Sequence, residues 1–210
     1  MTASAARRRA RTPQNERVET TQQKIINAAL ELLAQEGFKG ATLQAIARRA
    51  EVSLGALQHH FDSRDALMER LVEAVMEPLS DQGSVWPDAT LPLPERARSF
   101  VERAWHNIFG AAHYQAAWSL FFGCKASPAL FARIDELRHH VDQVFYTRFL
   151  DTFPEVRTHH PNPEGVAAMV FAALRGAGVL ELFAVSPSER HGALQVLTTT
   201  IVQAGSSSSA

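Results

Sequence analysis

Apolar residues recur along this chain at intervals of three and four positions, and no segment alternates apolar and polar residues convincingly. In the stretch TTQQKIINAALELLAQEGF this spacing is seen at Ile25, Ala28, Ala29, Leu32 and Leu33. A helix places residues at such intervals on one face, whereas a half-buried strand requires strict alternation. The sequence therefore predicts an all-α protein.

Capping residues and helix breakers divide the N-terminal third into four predicted helices. Each helix is preceded by a residue whose side-chain oxygen can accept a backbone N–H at a helix start: Thr20, Thr42, Ser53, and either Asp62 or Ser63. Gln23 would complete a capping box with Thr20, Gly37 is suited to end the first helix, and Pro78 to end the fourth.

The segment 80–95 is rich in Pro, Gly and Asp and is the predicted domain boundary. Beyond it the periodicity predicts five more helices, which gives about nine in all: 95–111, 113–124, 127–152, 163–184 and 187–203. Pro154 and Pro161 are predicted to lie in the loop before the fourth of these five.

Two short predicted helices, 42–50 and 53–60, are joined by about three residues, which is the spacing of a helix-turn-helix. Leu57 and Phe61 lie four positions apart and are predicted to anchor the second helix to its neighbours. Gly55 keeps the opposite face thin, so that the helix could enter a DNA major groove about 12 Å wide. The second helix is therefore a candidate for reading DNA.

Charge and cysteine content narrow the function classes. Residues 1–64 contain ten Lys and Arg against six Asp and Glu, whereas residues 65–210 contain eleven against sixteen, so the N-terminal part is suited to meet a polyanion. Cys124 is the only cysteine, which excludes an internal disulfide and favours a reducing cytoplasm. No run approaches the 18 or so apolar residues that span a bilayer, and no secretory signal is predicted.

Residues 21–75 resemble the DNA-binding domain of the TetR/AcrR family of transcriptional regulators. The matching motifs are INAALELLAQEGF, TLQAIARRA, VSLGAL and HFDSRDAL, in the order and at the spacing of the family. The family usually has glycine at position 51 and tyrosine at position 58. Glu51 is therefore predicted to adopt a turn conformation that residues other than glycine tolerate. Gln58 is predicted to read a base or to bind phosphate.

The resemblance and the helix-turn-helix pattern together predict the DNA contacts. Phosphate and base contacts are predicted for Thr42, Gln44, Arg48, Ser53, Leu54, Gly55, Gln58, His59, His60 and Arg64. The arginines of the basic N-terminus could track the minor groove or could merely keep a mobile tail in solution. The three pairs of adjacent histidines are predicted to lie at the surface or on phosphate and not to bind a metal.

The resemblance also implies a ligand cavity in the second domain. The predicted effector-binding residues are Trp105, Phe109, Trp118, Phe121, Phe122, Phe145 and Arg175, although for most of the aromatic residues an ordinary core is the alternative. His106, His113 and Cys124 are further candidate polar groups. Arg175 stands in an apolar helix and must reach solvent, a ligand or an acid from another segment.

The last two helices carry apolar residues on more than one side, and the resemblance implies that they pair with a second copy. We therefore predict a flexible basic arm over 1–16, the helix-turn-helix domain over 17–79, an effector-binding and dimerisation domain over 80–204 and a flexible tail over 205–210. The expected function is that of a cytoplasmic, homodimeric, ligand-responsive regulator, most often a repressor, which binds a near-palindromic DNA operator and a small-molecule effector. No cofactor, metal or membrane is predicted. An all-helical enzyme and a nonspecific DNA-compacting protein are the alternatives.

Overall fold

Ten α-helices and no β-strands make up the part of the chain that the computed structural model describes, residues 13–77, 85–183 and 185–207. They are α1 (Pro13–Gly40), α2 (Leu43–Arg49), α3 (Leu54–His60), α4 (Arg64–Met76), α5 (Leu93–Ala104), α6 (Ala112–Cys124), α7 (Pro128–Thr152), α8 (Pro154–His159), α9 (Pro163–Leu180) and α10 (Pro187–Gly205). A π-helical turn, Trp105–Phe109, extends α5, and a 3-10 turn, Glu181–Phe183, extends α9. The predicted all-α fold is confirmed.

Two predicted features of the helices are wrong. Helix α1 already includes Pro13, so Thr20 lies inside the helix and does not cap it, and residues 1–12 of the predicted arm lie outside the described part. Helix α8 occupies a segment that was predicted to be a loop. It tolerates Pro154 because the first residue of a helix needs no backbone N–H.

Two predicted boundaries, the end of the fourth helix and the C-terminal tail, fall wholly or partly outside the described residues. Pro78, the predicted end of the fourth helix, lies in the undescribed segment 78–84. In the predicted tail, Gly205 is the last residue of α10, and residues 208–210 are not described.

The predicted caps of the short helices are confirmed. The hydroxyl oxygen of Thr42 accepts the Ala45 N–H at 3.2 Å, and that of Ser53 accepts the Ala56 N–H at 3.0 Å. Ser63, and not Asp62, caps α4. Gly37, the predicted end of the first helix, has a φ of 68° and a ψ of −174°, so it kinks α1, which continues to Gly40.

Glu51, in the turn between α2 and α3, does not have the conformation predicted for it. Its φ is 57°, in the left-handed region that glycine occupies at little cost. The neighbouring hydrogen bonds, from the Glu51 N–H to Arg48 and from the Val52 N–H to Ala47, hold the turn in this form. The turn thus keeps the shape of a glycine turn and accepts a strain of about 1 kcal/mol or more.

The helices enclose two apolar cores. One lies between α5, α7, α9 and α10 and is built largely from stacked and tilted aromatic rings, among them Phe100, Phe145 and Phe149. The other is formed by α1–α4 and continues into α6 and α7 through Leu120 and Ile134. The helix-turn-helix is therefore packed against the second domain through a shared core.

Candidate functional site

Helix α3 presents the face predicted for DNA reading. Leu57 is fully buried and Phe61 nearly so, whereas Gln58 and His59 are exposed on the other side. Leu54 is half-buried and packs against the core of α1–α4, so its prediction as an outward-facing residue is only partly correct. His60 is also half-buried, and its ring centroid lies 5.7 Å from that of His59.

Gly55 lies on the exposed face of α3, one residue into the helix. A Cβ atom built there would meet nothing within 4 Å, and the residue has no positive φ. Nothing inside the described chain therefore requires glycine, although glycine in a helix costs stability relative to alanine. Glycine at this position would be explained if another molecule had to approach the surface of α3 closely.

Exposed polar groups of α2 flank this face. Thr42, Gln44 and Arg48 are exposed, and Arg48 has no ion-pair partner among the described residues. The adjacent Arg49 is different, because it donates to Glu31 at 3.2 Å and to Gln35 at 3.1 Å. Arg48 is thus available to contact a phosphate, whereas Arg49 is bound to side chains of α1.

Arg64 begins α4 and makes its contacts inside the chain. Its Nε donates to the Ala41 carbonyl at 3.0 Å, its Nη2 donates to the Phe38 carbonyl, and the guanidinium lies 4.1 Å above the Phe38 ring. Burial lowers the pKa of Arg64 from its ordinary value. Arg64 therefore fixes the turn between α1 and α2, and its proposed phosphate contact would have to use its remaining donors.

A small cavity lies between the helix-turn-helix and the second domain. Its volume is about 100 Å³, and its walls come from α4, α6, α7 and α9: Val72, Val75, Met76, Tyr114, Ala117, Trp118, Phe121, Arg138, Val141 and Arg175. The lining is almost entirely apolar. Cavities of this kind, with a few polar groups, are the usual form of small-molecule sites.

Three of the seven predicted effector-binding residues line this cavity, namely Trp118, Phe121 and Arg175. Trp105, Phe109 and Phe145 lie instead in the aromatic core of the second domain, where the alternative prediction of an ordinary core holds. Phe122 is 58% exposed and does not line the cavity, because it projects from α6 toward solvent.

The other candidate polar groups of the second domain also lie away from the cavity lining. His106 is exposed, and Cys124 is buried in the core beside α1–α4, where burial raises its pKa. His113 is half-buried, and burial lowers its pKa. Within residues 13–77, 85–183 and 185–207, no group of three or more His, Cys, Asp and Glu side chains is placed to hold a metal ion.

Arg175 finds its acid on another helix, as predicted. Its Nη2 donates to Asp142 on α7, which is 5% exposed and also accepts from Nη1 of Arg138 at 2.6 Å. The Arg175 guanidinium lies 3.9 Å above the Phe171 ring. Tyr114, also at the cavity, has a pKa raised by burial, an effect that the charge of Arg175 partly offsets.

The sequence reasoning missed the contribution of α4 to the cavity, and on α7 it selected Phe145 where Arg138 and Val141 line the wall. One signal was available, because Asp142 precedes Phe145 and Phe149 at helical spacing and so had to face inward. An inward acid on α7 is the natural partner for Arg175, and Arg138 lies one turn before it. The apolar residues of α4 carried no such signal, since their spacing is that of any core helix.

An apolar surface remains uncovered on α9 and α10. Five large apolar residues are 41–76% exposed there: Met169, Leu180, Leu182, Phe183 and Val196. Pro163–Phe183 is also long and apolar enough, by length and composition, to cross a membrane, so the prediction that no segment approaches such a length is wrong. The opposite face of α9 packs in the core through Phe171 and Leu174, as in a helix of a globular domain.

An exposed reading helix on a helix-turn-helix that is packed against a helical second domain defines a DNA-binding protein. Residues 25–71 match the sequence profile described as "Bacterial regulatory proteins, tetR family". This segment is therefore similar to the DNA-binding domain of the TetR family, whose members are DNA-binding transcription factors and not enzymes.

Similarity to individual proteins agrees with this assignment. The chain is 38% identical over 52 residues to the HTH-type transcriptional regulator UidR of Escherichia coli (strain K12), which covers 25% of this chain and 26% of UidR. It is 25% identical over 182 residues to the HTH-type transcriptional regulator BetI of Burkholderia mallei (strain NCTC 10229), covering 85% of this chain and 90% of BetI. The crystal structure of the multidrug binding protein EbrR complexed with imidazole has the same fold, with a TM-score of 0.57 at 22% identity over 85% of this chain and 93% of EbrR.

Proposed function

We propose that this protein is a cytoplasmic, ligand-responsive repressor that binds a near-palindromic operator as a homodimer and is released by a small-molecule effector. The observation that carries the proposal is the exposed face of α3, with Gln58 and His59 outward and an open surface over Gly55. Glutamine can pair with adenine in the major groove, and short side chains permit close approach to phosphates. The DNA backbone on either side of the groove would be held by four residues, Thr42, Gln44, Arg48 and Ser53.

The uncovered surface of α9 and α10 supports the dimer. Apolar patches larger than those of ordinary monomers mark interaction surfaces, and two copies of one patch form a closed twofold interface. A twofold dimer places its two reading helices in successive half-sites of a palindrome. The exposed residues from Met169 to Val196 are the surface that a second copy would cover.

The position of α4 supports control by an effector. The helix begins at Arg64, beside the turn that leads to α2, and its other end lines the cavity with Val72, Val75 and Met76. A molecule that enters the cavity must displace or stabilise these residues and thereby reorient the helix-turn-helix. EbrR, which shares the fold, was crystallised with a small molecule. Operator and effector must weaken each other by the same factor.

Selection from random double-stranded DNA with the purified full chain tests the proposed function. We expect enrichment of a palindrome whose half-sites are separated by about one helical turn, as a twofold dimer requires. A pool without any shared sequence would contradict the proposal and favour a nonspecific DNA-compacting protein.

Gly55→Ala should change stability and DNA affinity in opposite directions. The added methyl group meets nothing within the chain and removes the flexibility of glycine, so the free energy of unfolding should rise by roughly 0.5 kcal/mol. The same methyl group stands between α3 and the DNA. A loss of about tenfold in operator affinity, equivalent to about 1.4 kcal/mol, is expected in a fluorescence anisotropy titration.

Ala132→Gly, on an exposed turn of α7, is the matched control. It should lower stability by roughly 1 kcal/mol and leave operator affinity unchanged. If Gly55→Ala bound the operator as tightly as the unchanged protein, the close approach of α3 to DNA would be refuted.

A further inference from the structure

The polar groups around the cavity between α4, α6, α7 and α9 are almost all hydrogen-bond donors. Arg138 and Arg175 contribute guanidinium groups and Trp118 an indole N–H, while Tyr114 has a hydroxyl that can also accept. No carboxylate lines this cavity. A ligand that fits these walls must therefore supply acceptors and an apolar body.

The two arginines carry more positive charge than their buried partner neutralises. Both donate to Asp142, which is 5% exposed and lies behind the cavity wall. Arg138 has a second partner, Asp135, but the side chain of Asp135 is 52% exposed and its charge is screened by water. Asp142, the buried acid of the cluster, is thus shared between two half-buried arginines.

Arg175 also has donors to spare. Its hydrogen bonds within the described residues involve only Nη2, so Nε and Nη1 are available on a group that lines the cavity. Either group can donate a charge-assisted hydrogen bond to a carboxylate oxygen, the kind of acceptor that a guanidinium binds most strongly. Apolar walls next to it would strengthen such a pair by excluding water.

Trp118 adds an unsatisfied donor to the same wall. Its Nε1 is buried and makes no hydrogen bond of normal geometry in the described part of the chain, although the Tyr114 hydroxyl lies close enough to interact weakly with it. Leaving a buried donor unpaired destabilises the empty cavity. A ligand oxygen at this position would remove that cost on binding, whereas an ammonium group or another donor would not.

From these observations we infer that the effector is a small monocarboxylate with an apolar body about the size of one ring, an inference that rests on the proposed function. Its carboxylate binds Arg175, its ring lies against Val72, Met76 and Phe121, and a second acceptor atom or the carboxylate edge reaches the Trp118 N–H. A cavity that accommodates benzene measures about 150 Å³. The present one, at about 100 Å³, would admit a single ring once the flexible Met76 side chain shifts.

Isothermal titration of the purified full chain with benzoate, benzamide and benzylamine tests the ligand class, because the three share one ring and differ in charge. We expect benzoate to bind at least tenfold more tightly than benzamide, and benzylamine not to bind. Arg175→Met should weaken benzoate at least tenfold while Asp142 keeps Arg138 as its partner. Trp118→Phe keeps an aromatic ring but removes the N–H donor, and it should weaken the binding of benzoate about fivefold.

Arg157→Met is the matched control, since it also breaks an Arg–Asp pair, with Asp151, but lies away from this cavity. It should leave benzoate binding unchanged. Tighter binding of benzamide or benzylamine, or no binding by any of the three, would overturn the carboxylate assignment. Operator binding measured on the same protein without ligand reports separately on the proposed function, so the two can fail independently.

Discussion

Val196→Glu should convert the dimer into monomers and lower operator affinity on the order of a hundredfold. Val196 is 67% exposed on α10 in the isolated subunit, so the substitution leaves the core of that subunit intact. In the proposed dimer, however, it places a charge inside an apolar interface, where no partner offsets the cost of desolvation. Operator affinity falls because two linked half-site contacts become independent ones.

Light scattering coupled to size-exclusion chromatography measures the mass, and anisotropy measures the operator affinity. Ala132→Glu, on the exposed face of α7, introduces the same charge outside the proposed interface and should remain dimeric with unchanged affinity. A Val196→Glu protein that stayed dimeric would show that α10 does not form the interface.

The helix-turn-helix could be predicted closely because its determinants are local. Thr42, Ser53 and Ser63 cap their helices through hydrogen bonds that span three residues, and Gly37 kinks α1 through its own φ. Such interactions are determined by residues adjacent in the sequence. Glu51 shows the limit, because its left-handed conformation is imposed by the packing of α2 and α3 and runs against its own preference.

The cavity could be predicted only in part, because it depends on which helices meet. Aromatic content pointed to α6 correctly for Trp118 and Phe121, but it could not separate these from Trp105, Phe109 and Phe145, which have the same composition and lie in the core. Aromatic residues fill cores and line ligand sites with the same chemistry. Tertiary contacts decide between the two roles.

Arg175 was the more informative residue, because a charge in an apolar helix must have a partner. This requirement predicted an acid from another segment, and the structure places Asp142 there. The physical cost of an unpaired buried charge therefore located the polar end of the cavity, while the count of apolar residues did not. The same reasoning could not predict that α4 lines the cavity, because Val72 and Val75 are apolar and need no charged or hydrogen-bonding partner.

Arg96→Met should lower the free energy of unfolding by about 2–3 kcal/mol, less than the usual cost of breaking a fully buried ion pair, because the side chain of Glu155 is 32% exposed. Arg96 is 3% exposed on α5, donates to Glu155 on α8 and to the Ala89 carbonyl, and lies 5.5 Å from the centroid of the Phe153 ring. Its loss leaves Glu155 charged and unpaired against the core. In a scan at fixed protein concentration the melting temperature should fall by roughly 10 °C.

Arg103→Met, an exposed position on the same helix, is the control and should change the melting temperature little. The pair itself is incompletely satisfied, because Arg96 Nε and Glu155 Oε2 have no hydrogen-bond partners among the described residues. Replacing both members, as Arg96→Met with Glu155→Leu, should therefore restore most of the lost stability, since apolar pairs often substitute for buried ion pairs without loss. If the double variant were as unstable as Arg96→Met alone, the damage would come from the lost contacts to Ala89 and Phe153 and not from the unpaired carboxylate.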